Sequence, residues 1–273
     1  MINAIVLAAG ESKRMGLPKP LLRFPRGMGV PPMSLRGILP LDSVPKTNQG
    51  STQEAGASGT GSVRLCNEQS SHSQDDSGVH GRDGRGTHGR DAHATKSDDT
   101  TFLEQIVSVL REAEVGRVTV VLGAQAQVIR ESTDLPGAEI VVNENYRQGQ
   151  LSSLAVGLKS LPAETEAILL CLVDNPFITV RTVDGIIGAF RVSGRPIVVP
   201  VFEGRRGHPT LFARSMFDQL LNAPPDRGAR HVLRSNADKI FEVQVADPGI
   251  LARIDTPQDY LSYFKIAPEI IER

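Results

Sequence analysis

Apolar runs rich in β-branched residues alternate along this chain with stretches in which apolar residues recur at helical spacing. Residues 167–173 are apolar at every position, which is typical of a strand in a parallel sheet that is covered on both faces. Residues 102–113 have the i, i+3, i+4 spacing of a buried helix face, with Thr100 or Thr101 as the cap and Glu104 in reach for a capping box. The pattern predicts strands at residues 2–8, 117–122, 139–142, 167–173, 196–201 and 241–245. It predicts helices at residues 102–113, 126–132, 152–161, 180–192 and 215–222, and a last helix from Pro257.

This alternation predicts an α/β domain built on a largely parallel sheet. Without residues 26–98, about 200 residues remain, which suits a single domain of this class. In open α/β sheets ligands bind beyond the carboxyl ends of the strands. The residues that follow each strand are therefore the candidates for chemistry.

Residues 26–98 interrupt the alternation. Their composition shifts to Gly, Ser, Asp, His, Arg and Pro, and an eight-residue unit repeats in tandem from His80 to Thr95. Such a segment buries too little apolar surface to offset its ordering entropy, so we expect a disordered insertion in a surface loop. The segment also holds four of the six histidines, and a metal-binding tract is the alternative interpretation.

Composition narrows the class of protein. The net charge of -1 gives no reason to expect nucleic acid or an acidic membrane surface as a partner. Cys66 and Cys171 form no CxxC pattern and predict neither a disulfide framework nor a zinc site. The first apolar run is too short for a signal peptide or a membrane span, so we expect a cytoplasmic protein. With aromatic residues at 4% and no Trp, the predicted core is aliphatic.

The loop after the first strand is glycine-rich and basic. Ala9 and Gly10 allow a ligand to approach the backbone closely, and successive N–H groups can bind an anion. Arg14 offers a forked donor for phosphate oxygens, and Lys19 offers a point charge. The loop matches neither the Walker A nor the GxGxxG pattern, so an ordinary glycine turn with solvated basic residues remains the alternative.

Two carboxylates follow later apolar runs. Asp174 comes directly after residues 167–173 and lies beside the first loop if the two strands are neighbours. It is either a ligand of a hard cation such as Mg²⁺ or the cap of the next helix. Thr256 and Pro257 suit the N-cap and N1 positions of the last helix, which leaves Asp255 outside that helix and free to be a second metal ligand.

Several stretches together resemble the motifs of the MobA-like NTP transferase family. They are Leu7-Ala-Ala-Gly-Glu-Ser-Lys-Arg-Met-Gly16 with Lys19, and the blocks at residues 172–176, 207–212 and 254–259, in the family's order. The chain is most similar to the molybdenum cofactor cytidylyltransferases, over nearly all of its length except the insertion. The resemblance implies one Rossmann-like domain of the nucleotide-diphospho-sugar transferase type over residues 1–273. It also implies Mg²⁺-dependent transfer of a nucleoside monophosphate from an NTP to a phosphate group, with release of pyrophosphate.

The same resemblance implies roles for individual residues. The expected partners are CTP and a molybdopterin-type acceptor, with a molybdoenzyme or its chaperone receiving the product, and neither nucleic acid nor a membrane. The implied catalytic residues are Arg14, Lys19 and Asp174; the metal ligands are Asp174 and Asp255; the nucleotide contacts are Leu7, Ala8, Ala9, Gly10, Gln150, Ser152 and Ser153; and the acceptor contacts are Arg206 and His208.

Alternatives stay open at several of these positions. The hydroxyls of Ser152 and Ser153 also suit helix caps, and Arg206 and His208 also suit a solvated hairpin. Ala9 stands where the guanylyl branch of the family usually carries glycine, which favours a pyrimidine, whereas Asn175 departs from the Gln typical of the cytidylyl branch. The other hypotheses are GTP as the nucleotide, a sugar phosphate or methylerythritol phosphate as the acceptor, a catalytically weak nucleotide- or cofactor-binding protein, and a redox dehydrogenase. The missing dinucleotide glycine pattern disfavours the last of these.

Overall fold

A computed structural model describes residues 1–25, 99–225 and 227–271 of the chain. The described residues all lie in one compact unit. The predicted disordered insertion at residues 26–98, with its repeat and its four histidines, lies outside the described residues, as does Cys66. The strands are β1 (Ile2–Ala8), β2 (Arg23–Phe24), β3 (Thr100–Thr101), β4 (Val118–Leu122), β5 (Ala138–Val142), β6 (Ala167–Leu172), β7 (Ile197–Phe202), β8 (Arg205–Arg206), β9 (Thr210–Ala213) and β10 (Ile240–Gln244). The helices are α1 (Phe102–Glu112), α2 (Ala126–Ser132), α3 (Gln150–Ser160), α4 (Val180–Ser193), α5 (Phe217–Leu221), α6 (Gly228–Ser235) and α7 (Pro257–Phe264).

The main sheet has eight strands in the order β10-β7-β9-β6-β1-β4-β5, with β8 paired to β7. β1 lies between β6 and β4 and is parallel to both, with Val6 opposite Cys171 on one side and Val120 on the other. β9 runs antiparallel to β6 and to β7. The predicted α/β fold with a mostly parallel sheet is confirmed.

Strand β9 is absent from the sequence-based prediction. Its four residues follow the turn-rich residues 205–209, and a run this short gives no period that distinguishes a strand from a loop. Pairing with β6 on one side and β7 on the other defines it instead. Each predicted element agrees with the structure to within two residues at either end.

Helices cover both faces of the sheet, as predicted. In β1, Ala4 and Val6 pack on one face against α1, α2 and α4, whereas Ile5 and Leu7 pack on the other face against α3, α5 and α6. This explains why the central strands are apolar at consecutive positions, because neither face meets water.

A third cluster of buried residues is rich in aromatic rings. The rings pack edge-on, tilted or stacked, with centroids between 4.6 and 6.1 Å apart, which adds to the stabilisation from their buried area. The prediction of an aliphatic core is wrong for this cluster, because the few aromatic residues of the chain converge in one place. The cluster contains Met15, Leu22, Phe24, Phe102, Phe177, Ala252, Ile254, Tyr260 and Phe264.

Two helix starts follow the predicted capping chemistry. Thr101 accepts a hydrogen bond from the Glu104 N–H while the Glu104 carboxylate accepts one from the Thr101 N–H. Thr256 and Asp259 form the same reciprocal pair at α7, with Pro257 at the first helical position. Among the helices of the described residues, none has the length and apolar character needed to cross a bilayer.

Candidate functional site

A cavity of about 330 Å³ opens at the carboxyl end of β1. This is the edge of the sheet at which ligands of open α/β folds bind. Parallel pairing sets Leu7 opposite Leu172, and the Val173 N–H donates to the Leu7 carbonyl at 3.2 Å. The exit of β6, with Asp174, therefore lies beside the first loop. The walls of the cavity are Leu7, Ala9, Gly10, Ser12, Lys19, Pro20, Tyr146, Gly149, Gln150, Ser153, Leu172, Val173, Asp174 and Arg253.

Ser12 organises the first loop so that Lys19 returns to the cavity. Its carbonyl accepts from the N–H groups of Met15 and Gly16, at 2.9 and 3.0 Å, and its hydroxyl accepts from the Lys19 N–H at 3.1 Å. Gly16 has φ 77°, a left-handed conformation that glycine adopts without strain. The loop is therefore a defined turn held by its own backbone.

Gly10 faces open space. A Cβ built at this residue would meet nothing within 4 Å, and its φ does not lie in the left-handed region. Neither packing nor backbone geometry within the described residues therefore requires a glycine here. The open space belongs to the cavity, which suits close approach of a ligand to this stretch of backbone.

Five charged side chains meet at the edge of the cavity. Lys19 Nζ lies 2.5 Å from Asp255 Oδ1 and 3.8 Å from Asp174 Oδ2. Arg14 Nη2 lies 3.2 Å from Asp255 Oδ1, and Arg253 Nε lies 2.9 Å from one oxygen of each carboxylate. Three cations against two carboxylates leave a net positive charge, which suits a polyanionic ligand.

The cluster is partly shielded from water, which strengthens its electrostatics. The side chains of Lys19, Asp174 and Asp255 are only 11–14% exposed, whereas Arg14 reaches in from outside and is 67% exposed. Burial by itself disfavours the Asp255 carboxylate. The hydrogen bond and charge of Lys19, followed by the charges of Arg253 and Arg14, outweigh burial and hold the pKa of Asp255 below its usual range.

Asp174 does not cap the next helix. The cap of α4 is Thr179, whose side chain accepts from the Thr182 N–H. The Oδ1 atom of Asp174 is buried and has no hydrogen-bond partner among the described residues. An unpaired buried carboxylate oxygen is costly, and a cation would satisfy it.

Gln150 and Ser153 line the cavity, but Ser152 and Ala8 do not. The Ser152 hydroxyl donates to the carbonyls of Asn145 and Gly149, and so holds the turn that precedes α3. Ala8 is buried within β1. These two residues therefore support the walls of the cavity and do not form them.

His208 and Arg206 are placed differently from each other. Arg206 pairs with Glu242 at 2.7 Å, and neither Arg206 nor His208 is a cavity wall. His208 lies within electrostatic reach of Asp174, Arg253 and Arg230, and its Nδ1 is buried without a partner among the described residues. Burial lowers the pKa of His208, the charge of Asp174 opposes this, and the two arginines lower the pKa further, which favours the neutral imidazole.

Arg253 and Tyr146 line the cavity but are not among the residues expected from the sequence. Arg253 stands two residues before Asp255 with the fully buried Ile254 between them, the alternation of an extended segment that turns both charges to one side. That alternation was the available signal. Tyr146, which lies in a 3₁₀ turn between β5 and α3, gave no comparable signal.

Asn175 departs from the expected glutamine and faces away from the chemistry. Its amide donates to the carbonyls of Gly249 and Ala252 and so joins the exit of β6 to the segment before α7. The Ile254 N–H also donates to the Asp174 carbonyl, at 2.8 Å. These bonds place Asp255 next to Asp174.

Comparison with known proteins gives the family. A model of the MobA-like NTP transferase domain matches residues 85–240. The chain is 28% identical over 166 residues to nicotine blue oxidoreductase of Paenarthrobacter nicotinovorans, covering 57% of this chain and 79% of that protein. It is 25% identical over 147 residues to molybdenum cofactor cytidylyltransferase of Escherichia coli strain K12, covering 54% of this chain and 73% of that protein.

The fold is also shared with a solved structure. The manganese complex of Rv0371c from Mycobacterium tuberculosis superposes with a TM-score of 0.59 at 23% identity, over 96% of either chain. At this identity the likeness concerns the fold alone. Because the family model matches more than half of the chain, this protein belongs to the MobA-like NTP transferase family and is a nucleotidyltransferase of Rossmann-like fold.

Proposed function

We propose that this protein transfers CMP from CTP to the phosphate of a molybdopterin-type acceptor and releases pyrophosphate, with Mg²⁺ as the metal. One observation carries the proposal: Arg14, Lys19 and Arg253 meet Asp174 and Asp255 beside the open space at Gly10. Cations for phosphates, carboxylates for a metal and a backbone open to close approach are the parts that nucleotidyl transfer needs.

The donor set fits a divalent metal. Asp174 and Asp255 offer two carboxylates, and one oxygen of Asp174 has no partner among the described residues. No cluster of three or more His, Cys, Asp or Glu in the described part of the chain suits a metal ion. Mg²⁺ typically takes one or two carboxylates and completes its shell with phosphate oxygens and water, so two suffice. When bound, the metal would neutralise phosphate charge between these two residues.

The remaining chemistry is alignment and neutralisation by the side chains. An oxygen of the acceptor phosphate is already anionic, so no general base is required. That oxygen bonds to the α-phosphorus as the bond to the bridging α,β oxygen breaks, and pyrophosphate leaves with the electron pair. Lys19 and Arg14 offset the repulsion between the two polyanions, and the backbone of Ala9 and Gly10, which line the cavity, holds the nucleotide.

The acceptor side rests on His208. A neutral imidazole close to Asp174, with a buried nitrogen that lacks a partner, can hydrogen-bond a polar heterocycle or its phosphate. Arg206 pairs with Glu242, so it could contact the acceptor only if its side chain left this ion pair. GTP, or a sugar phosphate acceptor, is the alternative within the same reaction class.

A redox activity is the rival from another class, because one relative is named an oxidoreductase. The charge cluster supports the transferase instead, since hydride transfer needs no paired carboxylates beside a phosphate site. Consumption of NADH or NADPH in the presence of nicotine blue would favour the rival.

The deciding measurement is pyrophosphate release with each of the four NTPs, Mg²⁺ and a molybdopterin acceptor. We expect release with CTP that depends on both acceptor and metal, and also with Mn²⁺ in place of Mg²⁺. Binding of NTP without release for any acceptor in the series would leave a nucleotide-binding protein as the better hypothesis.

Two broader proposals complete the assignment. We propose that residues 1–273 form one nucleotidyltransferase domain that is interrupted at residues 26–98. We also propose a cytoplasmic location, on the basis of cysteine usage and the near-neutral charge. Fractionation of cells that express the protein tests the second.

A further inference from the structure

Arg253 occupies an unusual position between the two proposed metal ligands. Its single Nε–H lies 2.9 Å from Asp174 Oδ2 and 2.9 Å from Asp255 Oδ2. No other cation in the described part of the chain lies this close to both carboxylates, since Lys19 is 2.5 Å from Asp255 but 3.8 Å from Asp174. Arg253 therefore holds the two carboxylates that would also hold a metal.

The backbone fixes Arg253 in this place. Ile254 is fully buried in the aromatic cluster, and its N–H donates to the Asp174 carbonyl at 2.8 Å. Arg253 and Asp255 therefore flank an anchored residue, while the Arg253 side chain remains 53% exposed and lines the cavity. An anchored backbone with an exposed guanidinium allows the head group to move without unfolding of the segment.

A guanidinium and a divalent cation compete for the negative charge of the same two carboxylates. Arg253 stabilises the carboxylates when no metal is present, because two adjacent carboxylates would otherwise repel each other. A metal that binds the unpaired Oδ1 of Asp174 and also takes Asp255 would weaken the hold of this guanidinium on both carboxylates. The guanidinium already lines a cavity suited to phosphate. Arginine binds phosphate well through its remaining N–H donors.

We propose that Arg253 is a positioning residue that exchanges partners: it holds Asp174 and Asp255 together without metal and transfers to the nucleotide phosphates when a divalent cation binds. This inference rests on the proposed nucleotide and metal site, not on the identity of the acceptor. The consequence is that metal and nucleotide each increase the affinity of the protein for the other. The metal releases Arg253 to bind phosphate, and the phosphate draws Arg253 away from the carboxylates that bind the metal.

The test measures binding, without turnover. Mn²⁺ binding is followed by electron paramagnetic resonance, and binding of CTP in excess Mn²⁺ by calorimetry, for the wild type and Arg253→Gln. We expect bare Mn²⁺ to bind about tenfold more tightly to Arg253→Gln, since its competitor is gone, and Mn²⁺-CTP to bind about tenfold more weakly, since a phosphate donor is lost. Opposite changes for the two ligands are not expected from a structural defect.

Arg117→Gln is the matched control. Arg117 also pairs with a carboxylate, Glu139, at 2.8 Å, but it precedes β4 at the opposite end of the strands. This variant loses the same charge and should bind both ligands as the wild type does. Arg253→Lys, which keeps the charge without the guanidinium, should give intermediate values for both.

Weaker or unchanged binding of bare Mn²⁺ by Arg253→Gln, in a variant with a wild-type circular dichroism spectrum, would overturn the inference. An absence of pyrophosphate release with every acceptor would count against the proposed reaction alone. If CTP fails to bind the wild type, the nucleotide assignment fails, and the bare Mn²⁺ comparison still decides whether Arg253 competes with the metal.

Discussion

At the scale of single residues, the two carboxylate oxygens of Asp174 lie in different surroundings. One of its oxygens contacts Arg253 and the other is buried without a partner among the described residues. The carboxylate lies two residues after the end of β6, so a parallel strand fixes its place beside the first loop.

Substitution Asp174→Asn should abolish turnover and leave the fold intact. The amide has the same shape but lacks the charge that a metal needs, so we expect pyrophosphate release to fall by at least about a hundredfold. Far-UV circular dichroism and the melting temperature check the fold. Glu139→Gln, at the opposite end of the strands, is the control and should keep the wild-type rate. A rate within tenfold of the wild type for Asp174→Asn would show that the metal assignment is wrong.

Ala9 bears on nucleotide choice. It lines the cavity, and a Cβ at Gly123 would come within 2.9 Å of its methyl group, so the space on that side is already tight. For Ala9→Gly we expect the ratio of kcat/KM for CTP to that for GTP to fall by about tenfold, the effect of one methyl group in a fitted pocket. An unchanged ratio would show that residues other than Ala9 determine the choice of nucleotide.

Asp255 gives a pH-dependent contribution to stability. Its pKa in the folded protein is lowered because Lys19, Arg253 and Arg14 outweigh the effect of burial. The stabilising contribution is therefore complete above the unfolded pKa of about 3.9 and is lost as the pH falls through the folded value. The difference in unfolding free energy between the wild type and Asp255→Asn, from urea titrations, should be constant above about pH 5 and shrink below it. A difference that grows towards low pH would contradict this sign.

At the scale of elements, the aromatic cluster connects the segments that carry the site. Met15 belongs to the first loop, Phe177 follows Asp174, and Ile254 precedes Asp255. Helix α7 closes the cluster with Tyr260 and Phe264, whose ring centroids are 4.6 Å apart. The last helix therefore stabilises the relative positions of the charged residues from behind.

Removal of one ring should measure that contribution. Phe264 is 1% exposed, so Phe264→Ala should lower the free energy of unfolding by about 3–5 kcal/mol in urea titrations. Leu261→Ala is the control from the same helix, because Leu261 is 42% exposed and its replacement changes helix propensity little. Similar losses of unfolding free energy for the two variants would show that the aromatic cluster contributes no more to stability than an exposed position on the same helix.

At the scale of the whole molecule, a two-stranded pair brings together the residues on either side of the long insertion. β2 and β3 pair antiparallel, with Phe24 opposite Thr100, and Arg23 forms an ion pair with Asp99. The chain therefore leaves the described structure after residue 25 and re-enters it at residue 99 next to the same strand pair, directly before α1. A short turn can connect such a pair.

Replacement of residues 26–98 by an Asn-Gly dipeptide should preserve the enzyme. The new connection from Pro25 to Asp99 is a four-residue hairpin loop, so we expect the melting temperature to change by less than about 4 °C. Pyrophosphate release should remain within about threefold of the wild type, since the change begins two residues after β2 and leaves the Lys19 loop untouched. A large loss of either would show that the segment supports the fold or the site.

Some features of the site could be predicted from sequence because they depend on neighbours in the chain. The capping box at Thr101, the N-cap at Thr256, the β6 run before Asp174 and the glycine loop after β1 are of this kind. Arg253 was missed because its importance depends on its contact with Asp174, which is distant in the chain, as well as with the nearby Asp255. Ser152 was placed at the nucleotide although its hydroxyl serves the turn before α3, since a hydroxyl at a helix start has the same pattern in both roles.

The sequence by itself determined the α/β class, the parallel strands and the strand ends that carry polar residues, because hydrophobic periodicity and helix caps are local properties. Only the tertiary structure decided the insertion of β9 between β6 and β7, the convergence of scarce aromatic residues behind the site, and the sharing of Arg253 between Asp174 and Asp255. These arrangements join residues distant in the chain, and their energies exist only once the segments are packed.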